Sequence, residues 1–155
     1  MSTTDEYAQL AGASYYDTRP ANNHFPLPQN WGVFSRIPTD LATGFEASAY
    51  RNVLTNEIVI SYAGTDESDI TGDVAADAGL VSGVGSAQLR QAAEYYLQVK
   101  ALNPDAHITL TGPSLGGGLA ALVGVFFNET AETFDQAPFR NSANAVVAAD
   151  TRLYL

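Results

Sequence analysis

His107-Ile108-Thr109-Leu110-Thr111-Gly112-Pro113-Ser114-Leu115-Gly116-Gly117-Gly118-Leu119 is the stretch on which the reading of this chain turns. Its opening residues are rich in β-branched side chains and predict a short strand. From Leu119 to Phe127 the density of Ala, Leu and Val predicts a buried helix. Between the two lies Gly112-x-Ser114-x-Gly116, placed as a nucleophile elbow requires, directly between strand and helix. In such a turn the positions two residues either side of the serine must lack side chains for the chain to close. The corner lifts a hydroxyl clear of the sheet edge, and the helix that follows aims its free N–H groups at developing negative charge. Gly-x-Ser-x-Gly alone is a weak signal, and a plain glycine-rich turn is its structural alternative. The flanking strand, the flanking helix and the extra Gly117-Gly118 make the catalytic reading specific.

Upstream, residues 44–54 alternate well enough for a strand, Thr55-Asn56 makes a turn, and Glu57-Ile58-Val59-Ile60-Ser61-Tyr62 returns as a β-branched run. The second strand of this hairpin is expected to lie deeper, because three successive apolar residues indicate burial on both faces. Residues 86–102 predict a helix, with Ser86 as its cap, Leu89, Ala93, Tyr96 and Leu97 near a 3.6-residue period, and Asn103-Pro104-Asp105 as its stop. Residues 5–16 predict a short amphipathic helix through Tyr7, Leu10, Ala11 and Tyr15. Pro20, Pro26, Pro28 and Pro38 are expected to keep residues 18–40 in loops and short turns, pinned by Trp31 and Phe34. An Asp- and Gly-rich loop follows from Ala63 to about Asp77. Thr133-Phe134 predicts a further short strand stopped by Pro138, and the Ala-rich residues 142–155 a helix.

Hairpin, helix, strand, helix, strand is the order of an α/β domain built on a mixed or mostly parallel sheet. The expected division of a single domain over 1–155 is an N-terminal helix and Pro-rich loop in 1–40, a sheet core with the elbow in 41–140, and a helical tail in 141–155.

Composition removes several function classes. With 155 residues, 46% of them apolar, the chain is long and hydrophobic enough for a folded core. Seven Lys and Arg against 17 Asp and Glu leave a formal charge of −10. That balance excludes sequence-independent nucleic-acid binding and electrostatic docking on anionic lipid, both of which need a basic surface. Without cysteine there is no disulfide, thiol nucleophile or thiolate metal site. Met1 to Glu6 are polar and acidic, unlike a signal peptide. Leu115 to Phe127, the longest apolar-rich stretch, falls short of the ~20 residues needed to cross a bilayer. The expectation is a soluble protein, cytoplasmic or exported without a cleavable leader, that meets membranes only by interfacial adsorption.

The run Ile108 to Leu122 resembles the nucleophile segment of α/β-hydrolase lipases, particularly the class 3 (fungal-type) lipases and related bacterial lipases. Ile58-Val59-Ile60-Ser61-Tyr62-Ala63-Gly64-Thr65-Asp66 is similar to the strand and loop that build their oxyanion hole, and Thr133 to Phe139 to the strand after the nucleophile helix. The resemblance spans most of residues 5–142 in the correct order. It implies an α/β-hydrolase-like fold with a central mixed sheet, Ser114 as nucleophile, and Thr65 and the N–H of Leu115 as oxyanion donors. It implies lipid or other carboxylic ester substrates, acyl transfer to water through an acyl-enzyme, and no metal or organic cofactor. Two positions depart from the family: Pro113 stands where His is usual before the serine, and Ala63 where Arg is usual before the loop glycine.

The family order of catalytic partners is Ser, then Asp or Glu, then His. The only histidines, His24 and His107, both precede Ser114. At ~3.3 Å per residue an extended strand separates His107 from the serine by about 23 Å, too far to take its proton. The acids that follow are Glu129, Glu132, Asp135 and Asp150, so no triad can be written in family order. The expectation is an N-terminal part of a longer lipase-like enzyme; the alternative is an inactive hydrolase-like binding or scaffold module. Other motifs fail on their chemistry. Counting from Asp66, Ile70 and Thr71 occupy the positions where a calcium loop needs an oxygen ligand and a glycine. Gly83-Val84-Gly85 lacks the third glycine and preceding strand of a dinucleotide site, and no Lys-Ser/Thr follows Gly118 as a phosphate loop requires.

Overall fold

Ile58-Val59-Ile60 and Ile108-Thr109-Leu110 are apolar or β-branched at successive positions, and each becomes a central strand covered on both faces. The computed structural model describes residues 3–14, 26–63 and 83–134. Its elements are α1 (Thr4–Ala13), β1 (Trp31–Ile37), β2 (Glu46–Asn52), β3 (Ile58–Ala63), α2 (Gly83–Leu102), β4 (Ile108–Pro113), α3 (Ser114–Phe127) and β5 (Thr130–Phe134). They form one mixed sheet in the order β1-β2-β3-β4-β5. The first three strands pair antiparallel, and β3, β4 and β5 run parallel. This is the α/β arrangement expected of the hairpin, helix, strand, helix, strand order.

Local chemistry explains the ends of the elements. Thr3 and Glu6 form a reciprocal capping box at the start of α1, each side chain accepting from the other residue's N–H. Asn56 takes a left-handed φ of 61° in the hairpin turn between β2 and β3, and Asn128 does the same at 56° to end α3.

The strand period of two splits the core into layers. On one face Ile58, Ile60 and Tyr62 meet Leu89, Val99 and Leu119 of α2 and α3. On the other, Tyr50 and Val59 meet Tyr7, Leu10 and Ala13 of α1. The Tyr7 hydroxyl crosses that second layer to donate to Glu57 Oε1 at 2.9 Å, partnering a carboxylate that would otherwise be costly to bury.

Two expectations need correction. Residues 31–37 are not loop but the edge strand β1, bracketed by Pro28 and Pro38, where an edge tolerates proline. A bulge between Val33 and Ser35 breaks the alternation, placing Phe34 and Ser35 on the same side of the sheet. That irregularity hides the strand from a period-two reading. Trp31 and Phe34 do pin the segment, Trp31 to the α1 layer and Phe34 to the other. The second correction is Ser86: α2 already begins at Gly83, so Ser86 lies inside its first turn and is not the cap. The expected loop from 64 to 77, the expected continuation of the first helix through Tyr15 and Tyr16, the expected stop at Pro138 and the expected helical tail over 141–155 lie outside the described residues.

Buried tyrosines make the layer against α2 sensitive to alkali. Burial raises the phenols of Tyr62, Tyr95 and Tyr96 above the usual value near 10, Tyr95 to about 12. Tyr96 is raised further by its hydrogen bond to Glu129. The unfolded chain therefore releases these protons first. The stability they contribute is complete below pH ~10 and is lost as pH rises towards the folded values. Thermal melts at pH 8 and pH 11 should show a clear fall in Tm at the higher pH; an unchanged Tm would contradict the assignment.

Candidate active site

The parallel register pairs Ser61 with Thr111, so Ala63 and Pro113 end their strands side by side at the C-terminal edge of the sheet. Crevices at that edge are where open α/β sheets bind ligands. β4 passes into α3 without an intervening loop: Pro113 is the last strand residue and Ser114 the first of the helix. Pro113 has φ −88° and ψ 152°, extended backbone that its ring favours, and it provides no side-chain cap. The first N–H groups of a helix have no intrahelical partner, and they include that of Leu115. Leu115 itself is half-buried in this first turn.

Gly112 shows how tight the corner is. A Cβ there would lie 2.5 Å from both the carbonyl carbon and oxygen of Gly116 and 2.6 Å from the Tyr62 carbonyl oxygen. All three neighbours are backbone, from the first turn of α3 and from β3. The motif glycine is thus required by a close approach of three chain segments.

The other sequence-derived residues separate into groups. Thr65 and His24 lie outside the described residues, as do Asp135 and Asp150. His107 is exposed just before β4, at the opposite edge of the sheet from Ser114, where its carbonyl accepts the Ile58 N–H at 3.0 Å. Glu129, just before β5, is also at that far edge and accepts from the Tyr96 hydroxyl at 2.7 Å. Glu132 lies within β5, its carbonyl accepting from Thr111 Oγ1 at 2.6 Å. Among the described residues no group of three or more His, Asp or Glu side chains is gathered as a metal site would need. No helix among them is long and apolar enough to cross a membrane.

One group of residues near the candidate edge escaped the sequence reading. Glu46 opens β2 in register with Ala63 and is only 3% exposed. On the same face, Arg36 Nη1 donates to Ser48 Oγ at 2.7 Å, and its guanidinium stands 5.7 Å from the Tyr50 ring centroid. Burial raises the Tyr50 phenol, Arg36 opposes that shift and Glu46 adds to it. Arg36 thus supplies a cation to this face although position 63 carries Ala. Polar residues alternating along an edge hairpin normally face water, so nothing in the sequence marks Glu46 and Ser48 as buried.

The fold is that of lipase-like α/β-hydrolases. A lipase from Rhizopus microsporus var. chinensis superposes with a TM-score of 0.58 at 20% identity, covering 84% of this chain and 55% of that one. Lip2 lipase from Yarrowia lipolytica gives 0.56 at 20% identity, covering 93% and 61%. The Rhizomucor miehei lipase, in its propeptide complex, gives 0.59 at 16% identity, covering 92% and 56%. The chain therefore spans somewhat over half the length of each lipase. The phospholipase-like family model described as Tle-like phospholipase domain matches residues 6–152, and the chain belongs to that family.

Proposed function

We propose that this chain carries the nucleophile-bearing part of a serine-dependent lipid ester hydrolase. The reading is supported above all by the position of Ser114 at the N-terminus of α3, on a corner that admits no side chain at Gly112. In the proposed reaction the Ser114 oxygen attacks the ester carbonyl, forming a C–O bond as the carbonyl electrons move to oxygen. The N–H of Leu115 and that of Thr65 receive the oxyanion. Collapse expels the alcohol, which takes up the proton removed from the serine. Water then cleaves the acyl-enzyme, releasing the carboxylic acid and restoring Ser114. His107, exposed at the far edge of the sheet, is too distant to act as the base for these transfers.

A second reading, a non-catalytic hydrolase-like binding module, is favoured by one observation: His107, the one histidine among the described residues, stands exposed at the opposite edge of the sheet from Ser114. A fluorophosphonate probe separates the two. Full-length protein should be labelled, and Ser114→Ala should abolish labelling while leaving Tm within a few degrees. Absence of labelling in the folded full-length protein would overturn the hydrolase reading and favour the binding module.

A further inference from the structure

Leu41 is 97% exposed, at the tip of the connection between β1 and β2. β1 ends and β2 begins at the sheet edge where Ala63 and Pro113 end their strands, so this loop rises on the same side of the molecule as Ser114. With strands ~4.8 Å apart, two to three spacings separate the loop from β4, about 10–15 Å across the edge. By contrast Leu54 and Leu102, also well exposed, lie at the opposite end, in the β2–β3 turn and at the end of α2.

The loop is held rigid while it shows this leucine to water. Asp40 N–H donates to Phe45 O at 2.8 Å, and Gly44 N–H donates to Asp40 O at 2.6 Å. The Asp40 carboxylate accepts from Ala42 N–H and from Gln91 Nε2, each at 2.8 Å. Thr43 Oγ1 donates to Gln91 Oε1 at 2.7 Å, and Gln88 Nε2 donates to the Thr43 carbonyl. The polar groups are thereby drawn back to α2, and Pro38, Leu41 and Ala42 form the exposed outer surface. Gly44, with φ 76°, closes the turn. A braced loop loses little conformational entropy when its tip is buried, which favours binding.

We infer that the Leu41 loop is an interfacial anchor that inserts into the surface of a zwitterionic lipid layer beside the Ser114 edge. The choice of a lipid surface rests on the ester-hydrolase reading and on membership of a phospholipase-like family. The choice of zwitterionic lipid rests on charge. No Lys or Arg occurs between Arg36 and Arg51, and the chain carries a formal −10. Hydrogen bonds from Ala42 and Gln91 also keep the Asp40 carboxyl below its ordinary value, so it is ionised at neutral pH. The loop itself therefore offers no cation to anionic headgroups, and burial of apolar side chains drives adsorption.

Flotation of full-length protein with phosphatidylcholine vesicles tests this without turnover. Wild type should bind, and Leu41→Asp should lower the partition coefficient at least tenfold with no change in Tm. Leu41→Trp should keep binding and show blue-shifted emission on adding vesicles. Equal vesicle affinity of wild type and Leu41→Asp, absent binding of wild type, or stronger binding to phosphatidylglycerol-rich vesicles would each overturn the anchor. Fluorophosphonate labelling of Ser114 does not depend on Leu41, so failure of the anchor and failure of the hydrolase reading are separable.

Discussion

Gly112→Ala should lower Tm by roughly 6–12 °C and abolish fluorophosphonate labelling. The added Cβ would lie 2.5–2.6 Å from three backbone atoms, a separation that no rotamer change can relieve. Either α3 moves away from the sheet or β3 and β4 separate. Overpacking of this kind costs about 3 kcal/mol, and for a chain of this length each kcal/mol shifts Tm by about 2–4 °C. Labelling would be lost for a different reason: moving the first turn of α3 takes the N–H of Leu115 from its place beside Ser114. Thermal melting read by circular dichroism, with labelling on the same samples, checks both effects. A variant that melts within 2 °C of wild type would show that the corner is looser than described.

Tyr62→Ala should destabilise the protein by about 3–5 kcal/mol, whereas Tyr62→Phe should cost no more than about 1.5 kcal/mol. Tyr62 is wholly buried on β3, one strand from Gly112, with its ring centroid 6.1 Å from that of Phe45. Its hydroxyl donates to the Ala92 carbonyl of α2 at 2.8 Å. Deleting the ring leaves a cavity between sheet and helix that close-packed neighbours fill only in part. Deleting the hydroxyl removes one hydrogen bond from a helical carbonyl. Urea unfolding of both variants measures the difference; equal destabilisation would mean that the hydrogen bond, not the packing, joins β3 to α2.

Much of this architecture is legible along the chain because it depends on short-range patterns. Ile58-Val59-Ile60 announces a strand buried on both faces, Thr55-Asn56 its turn, and Leu89 to Leu102 a helix with a regular period. The glycines around Ser114 announce a strand-to-helix corner, and β4 does pass directly into α3 there. β1 is obscured because its bulge at Val33 to Ser35 disrupts alternation and prolines stand at both ends. Ser86 misleads because serine is a good capping residue, whereas α2 starts earlier and takes Gly83 and Gly85, poor helix formers, into its first turn.

From residue order alone follow the α/β class, the strand-to-helix corner at Ser114 and the excess of acidic over basic residues, since periodicity, glycine placement and charge are local or summed properties. Folding in three dimensions adds what depends on distant segments meeting. It makes Gly112 indispensable through the carbonyls of Gly116 and Tyr62. It buries Glu46 beside Ala63, and it turns Leu41 outward on the edge that bears Ser114. Each of these is set by strand register and by contact between segments far apart in sequence, and no window of neighbouring residues records either.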